Sequence, residues 1–321
     1  MERTSDLPLD PQKPETLRIV FMGTPEFAVA SLDALVQGGF NVVGVITAPD
    51  KPAGRGLQLQ QSAVKKYAVE KSLPVLQPEK LKNPQFLEQL KSLQADLQVV
   101  VAFRMLPEVV WNMPPLGTIN VHGSLLPQYR GAAPINWAII NGERETGVTT
   151  FKLQQEIDTG AILLQEKISI GETETAGELH DHMKVVGAHL LVRTLQELSS
   201  GTLKETPQTN VSTELKHAPK ITTETCRIDW NKSVTDVYNL IRGLSPYPAA
   251  FTDLDGKKLK LFSVIKEEQL PIEPLGSVVT DQKQFLKFAC ADGYIGVQEL
   301  QLEGKKRMTI TEFLRGYRFQ H

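Results

Sequence analysis

Residues 17–48 read LRIVFMGTPEFAVASLDALVQGGFNVVGVITA. The run opens on the short apolar segment LRIVFM, and Gly23-Thr24-Pro25 break it. The next segment, EFAVASLDALVQ, places Phe27, Ala30, Leu32, Leu35 and Val36 at helical spacing, which predicts an amphipathic helix. Gly38-Gly39 predict its end, because glycine tolerates the left-handed backbone that closes a helix. In the turn before the helix, Thr24 is expected to cap and Pro25 to take the first helical position. A second apolar run, NVVGVITA, follows directly. Strand, helix and strand within about 30 residues make a βαβ unit. Such a unit requires parallel strands joined by a right-handed crossover. The fold class is therefore α/β, with a Rossmann-like parallel sheet.

The same alternation continues along the chain. Helices are predicted over 61–72 and 83–94, with a short strand at Val75 between them. DLQVVVAF, residues 96–103, is apolar throughout its centre, as a strand buried on both faces must be. GTINVHG, residues 117–123, predicts another strand, and ETGVTTFKL, residues 145–153, alternates like an edge or antiparallel strand. A long helix is predicted over 175–200. Residues 201–220 are polar, rich in Thr and Pro and without apolar periodicity, which reads as a linker. Past it, one helix is expected over 233–243. The short runs FTDL, KLKLFSVI, GSVVTD, FLKFACADG and IGVQELQLEG follow, and they predict a small β barrel or sandwich. The expected organisation is an extension over 1–16, an α/β domain over 17–203, a linker over 204–220 and a β domain over 221–321.

Composition removes several classes of function. Hydrophobic content is 41% and charged content 22%, an ordinary globular balance. A formal net charge of -2 gives no global attraction to nucleic acid, so such a contact must come from local patches. The two cysteines, Cys226 and Cys290, have no metal-ligand spacing and suit a reducing compartment. No apolar run reaches the ~18 residues of a membrane span. Residues 1–16 lack the apolar core of a signal peptide. A cytoplasmic protein with no membrane contact is expected.

The turn MGTPEFA lacks the later glycines of a dinucleotide fingerprint, which counts against an NAD enzyme. DKPAGRGL, residues 50–57, is a Pro/Gly loop carrying Lys51 and Arg55. It is either a solvated loop or an arm that brings charge to an anionic ligand. Asn120 and His122 are two apart on a strand and so share a face. They either cap the strand end or point together into a site. The loop after them follows the carboxyl end of a parallel strand, where such folds bind ligands. Asp158, in a sharp Asp-Thr-Gly turn, is a third candidate, although the same spelling is good turn chemistry. An amide donor, an imidazole and a carboxylate suit acyl transfer without a covalent enzyme intermediate. No catalytic-serine elbow and no metal motif appears.

The stretch NVHGSLLPQYRGAAPINWAIINGERETGVTTFKLQQEIDTGAILLQE, residues 120–166, resembles the core of the folate-dependent formyltransferases. Within that family the chain is similar to members that act on methionyl-initiator tRNA. GTPEFA, KPAGRG and VVVAF carry that similarity, with RIDW and SPYPAAF beyond the linker, over roughly residues 17–318. The resemblance implies that Asn120, His122 and Asp158 are catalytic and that 10-formyltetrahydrofolate is the formyl donor. It implies donor contacts from Ser124, Leu125, Leu126 and Pro127, with a cis Leu126–Pro127 peptide, and from Phe103 and Leu106. Arg104-Met105 depart from the small or apolar residues usual after the phenylalanine. The resemblance implies an OB-like β-barrel as the second domain, and tRNA contacts from Lys51 and Arg55. Two lysine-rich clusters add candidate tRNA contacts: Lys257 and Lys258 with Lys260, and Lys305 and Lys306 with Arg307. They stand out because residues 221–321 hold fourteen Lys/Arg against thirteen Asp/Glu, so phosphate binding there depends on clustering. A monomer without metal is expected. The competing readings are a formyltransferase acting on a nucleotide-linked amino sugar and a non-catalytic RNA-binding protein.

Overall fold

The computed structural model describes residues 16–53, 58–208 and 214–319. The expected extension up to residue 15, and Arg55, lie outside the described residues. The chain forms two compact units. One takes the chain up to Arg130 with Gly147–Ile168 and Asp181–Leu215; the other takes Gly131–Thr146, Ser169–His180 and the chain from Lys216 on.

The opening stretch forms β1 (Arg18–Gly23), α1 (Glu26–Gln37) and β2 (Asn41–Ile46). Gly38 caps α1 and Gly39 follows at φ +72°. The helix start differs from expectation. Pro25 is the N-cap, with no side-chain hydrogen bond, and Thr24 lies outside the helix. The Pro25 carbonyl already accepts from Ala28, so the helix closes on proline's backbone alone. A short antiparallel pair, β3 (Lys51–Ala53) and β4 (Gln58–Gln60), comes next. Then follow α2 (Ala63–Glu70), β5 (Val75–Leu76), α3 (Pro84–Ser92), β6 (Leu97–Val101), α4 (Glu108–Trp111) and β7 (Thr118–His122). Ser62 and Asn83 cap α2 and α3 with side-chain oxygens. The chain continues through β8 (Arg130–Gly131), α5 (Pro134–Ile140), β9 (Glu145–Lys152), β10 (Ile162–Ser169) and α6 (Ala176–Ser199).

The strand order of the large sheet is β10-β9-β7-β6-β1-β2-β5. From β5 to β7 all neighbours are parallel, and β9 runs antiparallel to β7. Every residue of β6 is buried, as its unbroken apolar run demands. The chain builds outward from β1 through β2 to β5 in one direction and through β6 to β7 in the other. The sheet therefore has a switch point beside β1 and β6, and ligand crevices form outside the carboxyl ends of strands there. Gly23, Val101 and His122 end three of those strands.

The second unit adds β11 (His217–Ala218), α7 (Thr223–Cys226), α8 (Val234–Leu244), β12 (Ala250–Leu254), β13 (Lys257–Glu267), β14 (Val278–Thr280), β15 (Leu286–Ala289), β16 (Tyr294–Leu302), β17 (Met308–Thr309) and α9 (Ile310–Gly316). Strands β12-β13-β16-β15-β14 form an antiparallel sheet, with β17 on β16. Register shifts around Ser263 bulge the β13–β16 ladder, and bulges raise local twist. The sheet curls into an antiparallel half-barrel. Val237, Ile241 and Leu244 of α8 join Leu259, Leu261, Phe288 and Leu300 in its core.

Candidate active site

Three sequence-predicted groups meet at the carboxyl end of β7. In the antiparallel register Asn120 lies opposite Phe151 and His122 opposite Thr149, so these four side chains share one face of the sheet. The His122 ring meets Phe151 edge-to-face at 6.3 Å. Its Nε2 lies 2.9 Å from the carbonyl oxygen of Tyr129. A carbonyl only accepts, so Nε2 carries the hydrogen. The nitrogen left to react is Nδ1, which stands 3.7 Å from Asp158 Oδ2. That gap is too long for a hydrogen bond. Both side chains are withdrawn from water, at 7% and 12% exposure. The half-buried Asn120 carboxamide has no hydrogen-bond partner among the described residues.

The Asp-Thr-Gly turn is held by packing as well as by its own chemistry. Asp158 sits at φ +54°. A Cβ on Gly160 would lie 1.7 Å from the Lys152 carbonyl oxygen, so only glycine lets the turn close on β9. Thr159 Oγ1 donates to the Glu156 carbonyl at 3.1 Å and accepts from Gln154 at 2.6 Å. Gln208 adds a brace that the sequence did not signal. Its Nε2 donates to the carbonyls of Asp158 and Gly160 at 3.0 and 2.7 Å. Its Oε1 accepts from Arg130 Nη2 at 2.7 Å. Thr206 pairs with Ile162, and Glu205 forms an ion pair with Lys152. Residues 205–208, at the start of the polar stretch read as linker, thus lie on the α/β unit. Nothing in an aperiodic Thr/Pro-rich segment marks a glutamine as structural.

The loop Ser124–Pro127 leaves β7 immediately after the site. Ser124 is fully buried, and its Oγ donates to the Gln128 carbonyl at 2.6 Å, so this hydroxyl is committed to the loop. Leu126 is buried, and the Leu126–Pro127 peptide is cis, as expected. After β6 the chain turns at Ala102, φ +47°. Phe103 and Leu106 both pack into the core beneath the sheet, Leu106 as a buried member and Phe103 partly open. Arg104 turns away and donates from Nη1 to the Glu79 carbonyl at 2.8 Å and from Nη2 to Pro78. Met105 stays 73% exposed. A separate cleft of about 290 Å³, lined by residues such as Gln77, Asn83 and Phe86, contains none of the predicted site residues.

On the half-barrel, two cationic clusters far apart in sequence converge. Leu259 pairs with Leu302, and the Glu303 N–H donates to the Lys258 carbonyl at 2.9 Å. Exposed Lys257, Lys258, Lys305 and Lys306 therefore occupy one end of the β13–β16 ladder. Arg307 differs: its guanidinium is paired with Glu299 and lies 4.5 Å from the Phe262 ring centroid. Tyr247, between cis peptides at Pro246 and Pro248, is 82% exposed, and Lys260 donates to the Pro248 carbonyl at 3.1 Å. Lys51 is exposed on β3. Among the described residues no His/Cys/Asp/Glu group could hold a metal ion, and no helix is long and apolar enough to cross a membrane.

An amide, an imidazole and a carboxylate near the carboxyl end of β7 have the chemistry that acyl transfer uses. The chain belongs to the formyl transferase family: the formyl transferase model matches residues 17–195 and the formyl transferase C-terminal domain model residues 220–318. It is 58% identical over 316 residues to the methionyl-tRNA formyltransferase of Parabacteroides distasonis, covering 95% of this chain and 97% of that one. Identity to the methionyl-tRNA formyltransferase of Flavobacterium psychrophilum is 52%, over 95% of this chain and 98% of that one. Among solved structures, an N-formyltransferase from Helicobacter canadensis in complex with folinic acid and dTDP-3-aminofucose shares the fold. Its TM-score is 0.66 at 20% identity, covering 91% of this chain and all of that one. HypX from Aquifex aeolicus in complex with tetrahydrofolic acid aligns at a TM-score of 0.64 and 19% identity, over 95% of this chain and 48% of that one.

Proposed function

We propose that this protein transfers the formyl group of 10-formyltetrahydrofolate to the α-amino group of methionyl-initiator tRNA, as a cytoplasmic monomer in translation initiation. The observation that carries this reading is identity of 58% running through both matched domains to a methionyl-tRNA formyltransferase of nearly the same length. The site's chemistry fits the donor. Asn120 offers an unpartnered carboxamide, His122 an uncommitted ring nitrogen, and Ser124–Pro127 with the Phe103 loop a braced rim. When bound, the donor supplies a formyl carbonyl that an amine can attack.

In this mechanism the chain's residues hold charge and move one proton. The Asn120 N–H donates to the formyl oxygen as it gains negative charge; a donor of this kind is worth about 10²–10³ in rate. His122, oriented through Nε2 by the Tyr129 carbonyl, presents Nδ1 toward the same centre. With a hydrogen on Nδ1 it is the second donor, and the Asp158 carboxylate stabilises the resulting charge. Asp158 takes the proton released by the attacking amine, directly or through water, and this loss balances the proton that the donor's N10 gains as its bond to the formyl carbon breaks. Phosphate binding falls to Lys257, Lys258, Lys305 and Lys306 on the half-barrel, to Lys51 on β3, and to Arg55, which lies outside the described residues.

The test is formylation by the purified protein with 10-formyltetrahydrofolate, offering charged initiator tRNA and, separately, a nucleotide-linked amino sugar. Formyl-methionyl-tRNA as the product supports the reading. Formylation of the sugar alone would replace it.

A further inference from the structure

We propose that Thr149 and Gln165 are positioning residues for the formyl donor. They clamp the Ser124–Pro127 loop and, through it, set the orientation of His122. The inference rests on the donor assignment above but not on the acceptor.

Thr149 is fully buried on β9, directly opposite His122. Its Oγ1 donates to the Ser124 carbonyl at 2.6 Å and accepts from the Leu126 N–H at 3.1 Å. It also accepts from Gln165 Nε2 at 2.9 Å. A hydroxyl has one hydrogen and two lone pairs, so its capacity is fully used. The same Gln165 Nε2 donates to the Leu126 carbonyl at 2.9 Å. The Leu126 residue, whose peptide leads into Pro127, is thus held by both its N–H and its C=O. Gly147, earlier on the same strand, gives the loop room, since a Cβ there would lie 2.5 Å from Leu125 Cδ2.

The clamp extends to the imidazole. Ser124 Oγ donates to the Gln128 carbonyl at 2.6 Å, and the Gln128 N–H donates to the Leu125 carbonyl at 3.0 Å. The next residue, Tyr129, at φ +58°, presents its carbonyl to His122 Nε2. A continuous set of short bonds therefore runs from Gln165 and Thr149, through the loop, to the group that chooses the His122 tautomer. Buried networks of this kind act as units, because removing one partner strands the others.

The experiment compares the full chain with Thr149→Val, Thr149→Ser and Gln165→Leu. Folinic acid binding is measured by calorimetry, the His122 ring nitrogens by ¹⁵N NMR, and the KM values for donor and tRNA by steady-state formylation. Thr149→Val and Gln165→Leu are expected to weaken folinic acid binding and raise the donor KM by about 10-fold or more, since small displacements of positioning groups carry large kinetic cost. The tRNA KM stays unchanged, the His122 signals leave the Nε2–H pattern, and Thr149→Ser restores wild-type behaviour. A folded Thr149→Val with unaltered folinic acid affinity and His122 signals overturns the proposal, as does a Thr149→Ser equally impaired. Should Thr149→Val fail to fold, Gln165→Leu, on the exposed edge strand β10, decides by the same two outcomes. Wild-type protein that binds folinic acid but leaves charged tRNA unformylated would overturn the acceptor reading alone. Failure to bind folinic acid would overturn the donor assignment and this inference together.

Discussion

His122 Nδ1 stands 3.7 Å from Asp158 Oδ2, while Nε2 of the same ring is bound to the Tyr129 carbonyl at 2.9 Å. The ring is fixed on one side and open on the other, facing a carboxylate. Replacing Asn120 by Ala should lower kcat by about 10²–10³, the usual cost of one oxyanion donor. His122→Ala and Asp158→Asn should do at least as much. Single-turnover formylation reads this, and donor affinity should change far less than rate.

Gln208 joins the Asp158 turn to Arg130 through four bonds of 2.7–3.2 Å. At roughly 1 kcal/mol per bond, Gln208→Ala should loosen the turn and cut kcat by about 10-fold. Circular dichroism at about 25 °C should remain that of the folded wild type while melting falls by several degrees, which separates the loss of rate from unfolding.

Gly160 has no room for a methyl group beside the Lys152 carbonyl. Gly160→Ala must displace backbone, and a cost of about 2 kcal/mol or more is expected. Thermal denaturation should show the α/β unit melting several degrees lower, with activity falling alongside.

Lys257, Lys258, Lys305 and Lys306 are exposed at one end of the β13–β16 ladder, with Lys258 Nζ 4.5 Å from the Phe251 ring centroid, whereas Arg307 is paired with Glu299. Reversing the four lysines to Glu should raise the tRNA KM with little change in kcat. Every phosphate left without its lysine should flatten the log–log salt dependence of binding by about 0.7–0.9. Arg307→Glu should instead cost stability, measured by denaturant unfolding.

Burial pushes the Cys290 thiol up to about 12 from an ordinary 9.0, and it also raises Cys226. Both thiols should resist disulfide reagents in the folded protein and react only on unfolding. The folded-state values are raised, so this contribution to stability is full below about pH 9 and is lost as pH rises toward 12. Urea midpoints measured from pH 8 to 11 should fall through that window, and Cys290→Ala should flatten the fall.

The sequence by itself determined the elements and the candidate groups. The apolar periods of residues 17–48 define a βαβ unit, because a buried strand and an amphipathic helix need different spacings. Asn120 and His122 share a face for the same local reason, strand alternation. Even the start of α1 shows the limit of local reading, since Thr24 is good cap chemistry and the chain uses Pro25 instead. What surrounds the site was decided only in three dimensions. Thr149, Gln165 and Gln208 carry no motif, and each acts on residues 16–78 positions away through bonds formed only when strands and loops pack. The two lysine clusters come to the same end of a ladder because β13 and β16 pair antiparallel, although the residues are over 40 positions apart in the chain. Local spacing specifies which side chains share a strand or a helix face. Long-range pairing alone specifies which of them meet, because that depends on the register between elements and no single segment encodes it.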